Sequence, residues 1–401
     1  MSVALRPYLV DLGIVTALGS GKAVNAERLY SATPAELSEE SIGGQSFRIA
    51  RALESRLPLD ASADCRNRVN ALLAAAASQI AAPVAAAAER YGAHRIAVIL
   101  GSTDNGSEES LSAARVRRAE GRFPEGYSLR RQSAELAPRF LASRLGLSGL
   151  AMAVSTACAS AATAISRARE LMAAGLCDAA VAGGADIVSD SVALGFQSLE
   201  AVSPERCLPF SRNRRGITLG EGAGLFLICR DDPVGEGIRL LGAGESCDAH
   251  HLTAPDPEGK GAARAMSLAL ADSGLAPADI GYLNLHGTGT SLNDAMESRA
   301  VASIFGEGGV PASSTKGAVG HTLGAASAVE LGFCWLALSS LNAGCILPPH
   351  FWDGERDEEL PRVDLVEPGR RAGGLSACMS VSFAFGGVDA ALAIGRAGGD
   401  R

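Results

Sequence analysis

An α/β protein made of two similar halves is what this 401-residue sequence predicts, and three observations lead there. Short apolar strands, glycine-bearing turns and helical stretches alternate along the chain, the pattern of largely buried mixed sheets covered by helices. The same rhythm starts a second time near Gly237, which predicts a joint near residue 236, with one half over 1–236 and the other over 237–401. A hydrophobic content of 47% over this length suffices for a large core.

The elements follow from local pattern. Residues 8–15 read as a strand, followed by glycines and a helix from about Ala23, and the alanine-rich run 72–91 reads as a helix. Residues 96–100 form a strand ending in Gly101-Ser102-Thr103. Residues 151–155 form another that runs into a helix over about 158–174, and 178–182 is the next strand. In the second series a strand starts at Ile238, a helix covers 260–273, a strand over 280–285 ends at His286, and 296–305 is helical. A helix over about 323–341 and a late strand over 377–383 complete it.

Composition excludes several classes. A net charge of -8 argues against a nucleic-acid binder, which needs a basic face. Nine cysteines stand singly, with no Cys-x-x-Cys and no repeating spacing, which fits a reducing cytosol and a cytoplasmic protein. Arg6, Pro7 and Asp11 interrupt the first apolar stretch, so no signal peptide is expected. The most membrane-like run, 323–347, contains Glu330 and Asn342 and reads as a buried helix followed by a strand start, so no membrane span is expected. Residues 112–144 carry eight arginines and few strand signals. That stretch is either a solvated helical excursion or a docking surface for an acidic partner.

Three residues stand in settings that suggest chemistry. Cys158 lies in Val154-Ser155-Thr156-Ala157-Cys158-Ala159-Ser160, where a strand passes into a helix. The unpaired amides and dipole of a helix start favour a thiolate, and the small neighbours leave room for a thioester carbonyl. His286 opens His-Gly-Thr-Gly-Thr, and His321 closes Lys316-Gly-Ala-Val-Gly-His321. Taken singly, a buried structural cysteine or a hydrogen-bonded polar histidine is the commoner role. One thiol and two imidazoles at strand or helix edges among Gly and Thr point together to carbon-acyl chemistry. No H-x-x-x-H or neighbouring carboxylate pattern accompanies them, so no metal is expected.

These segments resemble the β-ketoacyl-acyl carrier protein synthases, condensing enzymes of thiolase-like fold, over nearly the whole chain. The matches are Thr156-Ala157-Cys158-Ala159-Ser160; His286-Gly-Thr-Gly-Thr290 with Asp294 and Glu297 behind; Lys316 with His321 and Glu330; Leu219-Gly-Glu-Gly-Ala-Gly224; and the gating loop Phe383-Ala-Phe385-Gly-Gly387. The resemblance implies a layered αβαβα architecture with Cys158 as the nucleophile. His286 and His321 would act as neutral hydrogen-bond donors during malonyl decarboxylation, and Lys316 and Glu330 would orient His321. The backbone amides of Cys158 and Phe385 would form the oxyanion hole, with Phe385 also the gate. Thr288 and Thr290 would bind pantetheine, while Phe196, Phe383 and Asp104 would line the acyl pocket. The resemblance also implies no permanently bound cofactor, a phosphopantetheine arm brought by the carrier protein, weak carrier docking at Arg66, Arg68, Arg130 and Arg131, and a homodimer or a heterodimer with a related chain-length subunit.

The segments 214–221, 244–251 and 292–298 are similar to synthases of aryl polyene pathways, with Arg215 standing where housekeeping fatty-acid enzymes usually carry Asp. Other departures are Val388 and Asp389 for the usual Thr-Asn, Val381 for Asn, and Glu200 for a basic residue. A buried Asp104 must find hydrogen-bond partners, water or a polar acyl end. The alternatives are a housekeeping elongation synthase, a chain-length subunit with little activity of its own, and a thiolase or coenzyme A-linked synthase. Chain-length subunits typically lose the cysteine, and the paired histidine motifs disfavour the coenzyme A-linked enzymes. Nothing suggests the activated water of a cysteine hydrolase.

Overall fold

The computed structural model describes residues 5–52, 62–104, 106–232 and 235–396. The first four residues of the amino-terminal segment and Asn105 of the Gly101–Gly106 turn lie outside them. Ten strands carry the architecture: β1 Tyr8–Thr16, β2 Ile96–Gly101, β3 Ala151–Val154, β4 Ala179–Asp186, β5 Gly222–Cys229, β6 Ile238–Cys247, β7 Tyr282–Asn284, β8 Pro311–Ser313, β9 Ala377–Ala384 and β10 Val388–Arg396. The first five run in the order β3-β2-β4-β5-β1 and the second five in the order β8-β7-β9-β10-β6, and the two sets meet edge to edge where Tyr8 faces Arg239. Within each set three strands are parallel and the remaining two are antiparallel additions. Thus β2 pairs β3 and β4 in parallel as β7 pairs β8 and β9, while β5 and β1 add antiparallel as β10 and β6 do.

Helices complete the layers. α1 Arg68–Tyr91 covers the outer face of the first sheet, and α3 Lys260–Ser273 with α4 Ser291–Phe305 covers the outer face of the second. Between the sheets lie α2 Ser160–Ala173 and α5 Ala326–Leu338, packed with Leu9, Ile14 and Phe226 of one sheet and Tyr282, Leu392 and Ile394 of the other. All thirteen residues of α5 are buried, as a helix enclosed on every side requires. Its Trp335 donates its indole N–H to the Leu9 carbonyl at 2.9 Å, which ties the central layer to β1.

Three features differ from the sequence expectations. β5 and β10 were not separable by pattern, because both are small-residue strands buried on both faces and show no in–out alternation. No strand starts directly after α5 where 323–347 was expected to enter one; the chain passes through a short turn of 3₁₀ helix at Ser340–Asn342, and Ile346 makes a lone bridge to Arg371. Among the described residues the helix long and apolar enough to cross a membrane is α1, whose apolar side packs on the sheet. The arginine-rich stretch forms helices over Ser107–Glu120 and Leu136–Arg144 with local partners: Arg115 pairs with Asp190, Arg139 with Glu135 and Arg122 with Glu120, and Arg117 lies over the Phe123 ring. That is the pattern of a solvated surface.

Candidate active site

Three loops at strand ends converge on one point. The first follows β3, where Ala157 takes the left-handed conformation (φ 49°) and so turns Cys158 inward, two residues before α2 begins. Ser160 fixes this elbow by accepting from the Thr156 N–H at 2.9 Å and donating to the Ala157 carbonyl at 2.6 Å. Gly101 on β2 lets α2 approach, since a Cβ there would lie 2.3 to 2.5 Å from the backbone of Ser160 and Ala161.

The second loop carries His286 at the end of β7 and is caught by two carboxylates in the first turns of α4. Glu297 accepts from the N–H groups of His286 and Gly287, both at 2.7 Å, and Asp294 from those of Thr288, Gly289 and Phe210. Burial pushes Glu297 up to about 8, since its amide donors only partly offset the loss of water. The third loop carries His321, whose backbone hydrogen-bonds Thr218 and Gly220 of the glycine-rich segment at 2.7 and 2.9 Å. Behind it Asp186, at the end of β4, accepts from Ser102, Thr103, Asp104 and Gly324 and so joins the β2 turn to the His321 loop.

Cys158 Sγ lies 3.1 Å from His321 Nε2, and a ring nitrogen of each imidazole and the sulfur are all within 4.8 Å of one another. The rings meet edge to face with centroids 5.4 Å apart. Hydrogen bonding decides the tautomers. His321 Nδ1 accepts from the Leu323 N–H at 3.2 Å, and His286 Nδ1 faces the Lys316 ammonium at 3.3 Å, so each Nε2 carries the proton and is a donor. Burial, with the Lys316 charge beside them, holds both imidazoles well below the usual histidine range and therefore neutral. Three such groups match a metal-ligand set in type, but two N–H donors aimed inward beside an ammonium suit an oxyanion rather than a cation.

Lys316 also donates to the His286 carbonyl at 2.5 Å and to Glu330, which uses all three of its protons. It thus orients His286 and not His321, contrary to the sequence expectation; Leu323 supplies the contact that orients His321. The expected thiolate is corrected as well. Cys158 is buried, and desolvation pushes its thiol up to about 12 against the opposing Lys316 charge, so loss of water outweighs the helix start.

A cavity of about 450 Å³ opens from Cys158, His286 and His321 to the surface and is lined by Thr288, Thr290, Phe196, Phe383 and Phe385. Phe196 and Phe385, both in its lining, stack with ring centroids 5.6 Å apart. Asp104 is not part of it: its carboxylate accepts from Gly106, Ser107 N and Ser107 Oγ, anchoring the helix that follows, and it borders a separate cavity of about 170 Å³ with Arg131. Arg68 reaches inward to Glu221 and Glu108, and Arg131 lies 3.5 Å from Asp64, so neither is an unpaired surface cation; Arg130 is exposed. The sequence reading did not select Asp186, which stands at an ordinary strand end. The i,i+3 carboxylates Asp294 and Glu297 directly after Gly-Thr-Gly were a legible helix-start signal.

The layered fold with a Cys-His-His site at its strand ends defines a thiolase-like protein. Residues 62–233 match the family described as beta-ketoacyl synthase, N-terminal domain, and residues 238–348 the beta-ketoacyl synthase, C-terminal domain. The chain belongs to the β-ketoacyl synthase family. Among curated relatives it is 37% identical over 257 residues to nodulation protein E of Rhizobium meliloti, covering 62% of each chain. It is 36% identical over 254 residues to 3-oxoacyl-[acyl-carrier-protein] synthase 2 of Mycobacterium tuberculosis, covering 60% of each. The matched stretch thus spans less than two thirds of these curated relatives. Among solved structures it is similar to the ketosynthase ApeO in complex with its chain length factor ApeC from Xenorhabdus doucetiae, at 39% identity and a TM-score of 0.86 over 98% of both chains. The ishigamide ketosynthase/chain length factor aligns at 27% identity and a TM-score of 0.87, over 98% of this chain and all of that one.

Proposed function

We propose that this protein is a β-ketoacyl-acyl carrier protein synthase that elongates a carrier-bound acyl chain by decarboxylative Claisen condensation. The observation that carries the proposal is the contact of Cys158 with two neutral imidazoles whose Nε2–H groups are fixed as donors at the foot of an open cavity. In the first half-reaction the Cys158 sulfur attacks the acyl thioester, the pantetheine thiol leaves, and the Cys158 proton ends on that thiol, so the exchange is proton-neutral. The backbone N–H groups of Cys158 and Phe385 hold the tetrahedral oxyanion. In the second, malonyl thioester loses carbon dioxide while His286 and His321 hydrogen-bond its carbonyl oxygen. The resulting enolate carbon attacks the acyl-Cys158 carbonyl, and the thiolate leaves and regains a proton.

Thr288 and Thr290, in the lining of the cavity, hold the pantetheine arm, which belongs to the incoming carrier. Exposed Leu199, Leu252 and Leu292 rim the mouth, an apolar surround for a docked carrier, and of the four arginines Arg66 and Arg130, both exposed, are its basic docking candidates. The free edge of β3, whose four residues are half-buried and paired on one side only, is where a second ketosynthase-like subunit continues the sheet. Similarity to a ketosynthase crystallised with its chain length factor supports a heterodimeric partner of that kind, and the segments around Arg215, Asp248 and Asp294 support an aryl-primed polyene substrate.

Incubation with acyl-carrier protein, with and without candidate partner subunits, should add one acyl mass to the intact protein; absence of loading under all conditions would overturn the proposal. His286→Ala and His321→Ala should each lower carbon dioxide release from malonyl-carrier by about 10²- to 10³-fold, the usual loss for one oxyanion donor. Full release from both variants would contradict their assigned roles.

A further inference from the structure

Asp389 stands where the family resemblance leads one to expect Asn, and the structure surrounds it with acid. It is buried at the start of β10, opposite Ser246 of β6, and its side chain faces that of Asp248. The two carboxyls converge above Gly261 in the first turn of α3, where a Cβ would lie 2.1 Å from Asp248 Oδ1 and 2.3 Å from Asp389 Oδ2. Two carboxylates whose oxygens both crowd one Cβ position cannot both ionise cheaply; one proton between them turns repulsion into an O–H···O⁻ hydrogen bond.

The pair lies beside the gate. Gly387 accepts from the Asp248 N–H at 2.8 Å, and Gly386 donates to the Leu252 carbonyl at 2.8 Å, so the turn bearing Phe385 is stitched to the 248–256 loop on either side of the two carboxyls. We propose that Asp389 and Asp248 are positioning residues that share one proton and thereby latch the Phe385–Gly387 turn onto the 248–256 loop over the mouth of the Cys158 cavity. This deepens the proposed function, since that turn carries the gate.

The surroundings described supply no cationic side chain; Asp248 accepts the Asp256 N–H at 2.9 Å, and the pair sits over the first turn of α3. Asp256 of the same loop adds negative charge and is held by the backbone of Glu258 and Lys260; Ser246 Oγ donates to Gly261 O and lies 3.5 Å from Asp389; Glu245 of β6 is paired with Arg167. His251, from the loop, accepts from Thr253, and residues 384–388 contain no titratable side chain. Among the described residues no lysine or arginine pairs with Asp248, Asp256 or Asp389. Burial and the two aspartates push Asp389 up to about 8.

Asp389→Asn tests this, because the amide donates to Asp248 at every pH and does not titrate. Amide hydrogen exchange of the segments containing Gly386 and Asp248, followed by mass spectrometry, should give a ratio of wild type to variant that rises by up to about tenfold per pH unit between about pH 5 and pH 8 and levels off above pH 8, because opening releases the raised pKa of the closed state. The folded-state pKa is raised, so the wild type should also lose urea resistance relative to Asp389→Asn as pH rises from 5 to 8, with other groups cancelling in the comparison. A ratio flat from pH 6.5 to 9 would overturn the latch. Should Asp389→Asn fail to fold, Asp248→Asn carries the same expectation. Neither readout uses turnover, so failure of acyl loading and failure of the latch are separate results.

Discussion

Replacing Cys158 with alanine should abolish acyl loading and lower condensation by at least about 10⁴-fold, the scale of losing a covalent nucleophile, while malonyl decarboxylation persists. The two halves of the chemistry use different atoms. Acyl transfer needs the sulfur at the Ala157 elbow; decarboxylation needs the two Nε2–H donors, whose tautomers are fixed by Leu323 and Lys316 and not by the thiol. Intact mass reports the first and carbon dioxide release the second. Undiminished loading of Cys158→Ala would move the nucleophile elsewhere, and loss of decarboxylation together with loading would show that the sulfur also serves the enolate step. Because burial pushes the thiol up to about 12, loading of the wild type should also quicken with rising pH across the range in which the protein stays folded.

Lys316→Ala should destabilise the fold by about 3–5 kcal/mol, the usual result of stripping one partner from a buried ion pair. Glu330 is enclosed in α5, its Oε2 already lacks a partner, and without the ammonium its Oε1 lacks one too. Nothing then opposes the burial that already pushes Glu330 up to about 7, so the variant holds a proton there to higher pH, and its loss of stability relative to the wild type should grow as pH rises above about 7 and level off below it. Urea denaturation at pH 6 and pH 8 measures this. Lys316→Ala with Glu330→Gln should recover much of the stability but not the decarboxylation rate, because His286 Nδ1 still lacks its donor and the ring is free to place its proton on the wrong nitrogen. Recovery of both would reduce Lys316 to a structural role.

Much of the element order was legible because many strands announce themselves locally: apolar β-formers at 96–100 and 238–241, turn glycines after them, an alanine-rich helix before Tyr91. Where that signal fades, at β5 and β10, runs of Gly, Ala and larger apolar residues are buried on both faces, so nothing alternates. The three reactive residues were legible for a related reason. Sites at strand ends need small neighbours and sharp turns, and Cys158, His286 and His321 stand among Gly, Ala and Thr. Asp104 shows the limit: its position suggested a wall of the acyl pocket, but its short carboxylate closes onto the Gly106 and Ser107 amides, and it borders a separate cavity and not the one that holds Cys158.

Sequence by itself determined which residue types stand at the strand ends, and with them the class of chemistry, because backbone geometry at a sheet edge restricts what can occupy such turns. Only the tertiary structure decided the pairings: that Lys316 serves His286, that Leu323 serves His321, that Arg68 turns inward to Glu221, and that Asp389 meets Asp248. The physical reason is that protonation state, tautomer and ionisation depend on burial and on neighbours within a few ångströms, and those neighbours come from segments tens to hundreds of residues apart, brought together by the central helices between two sheets.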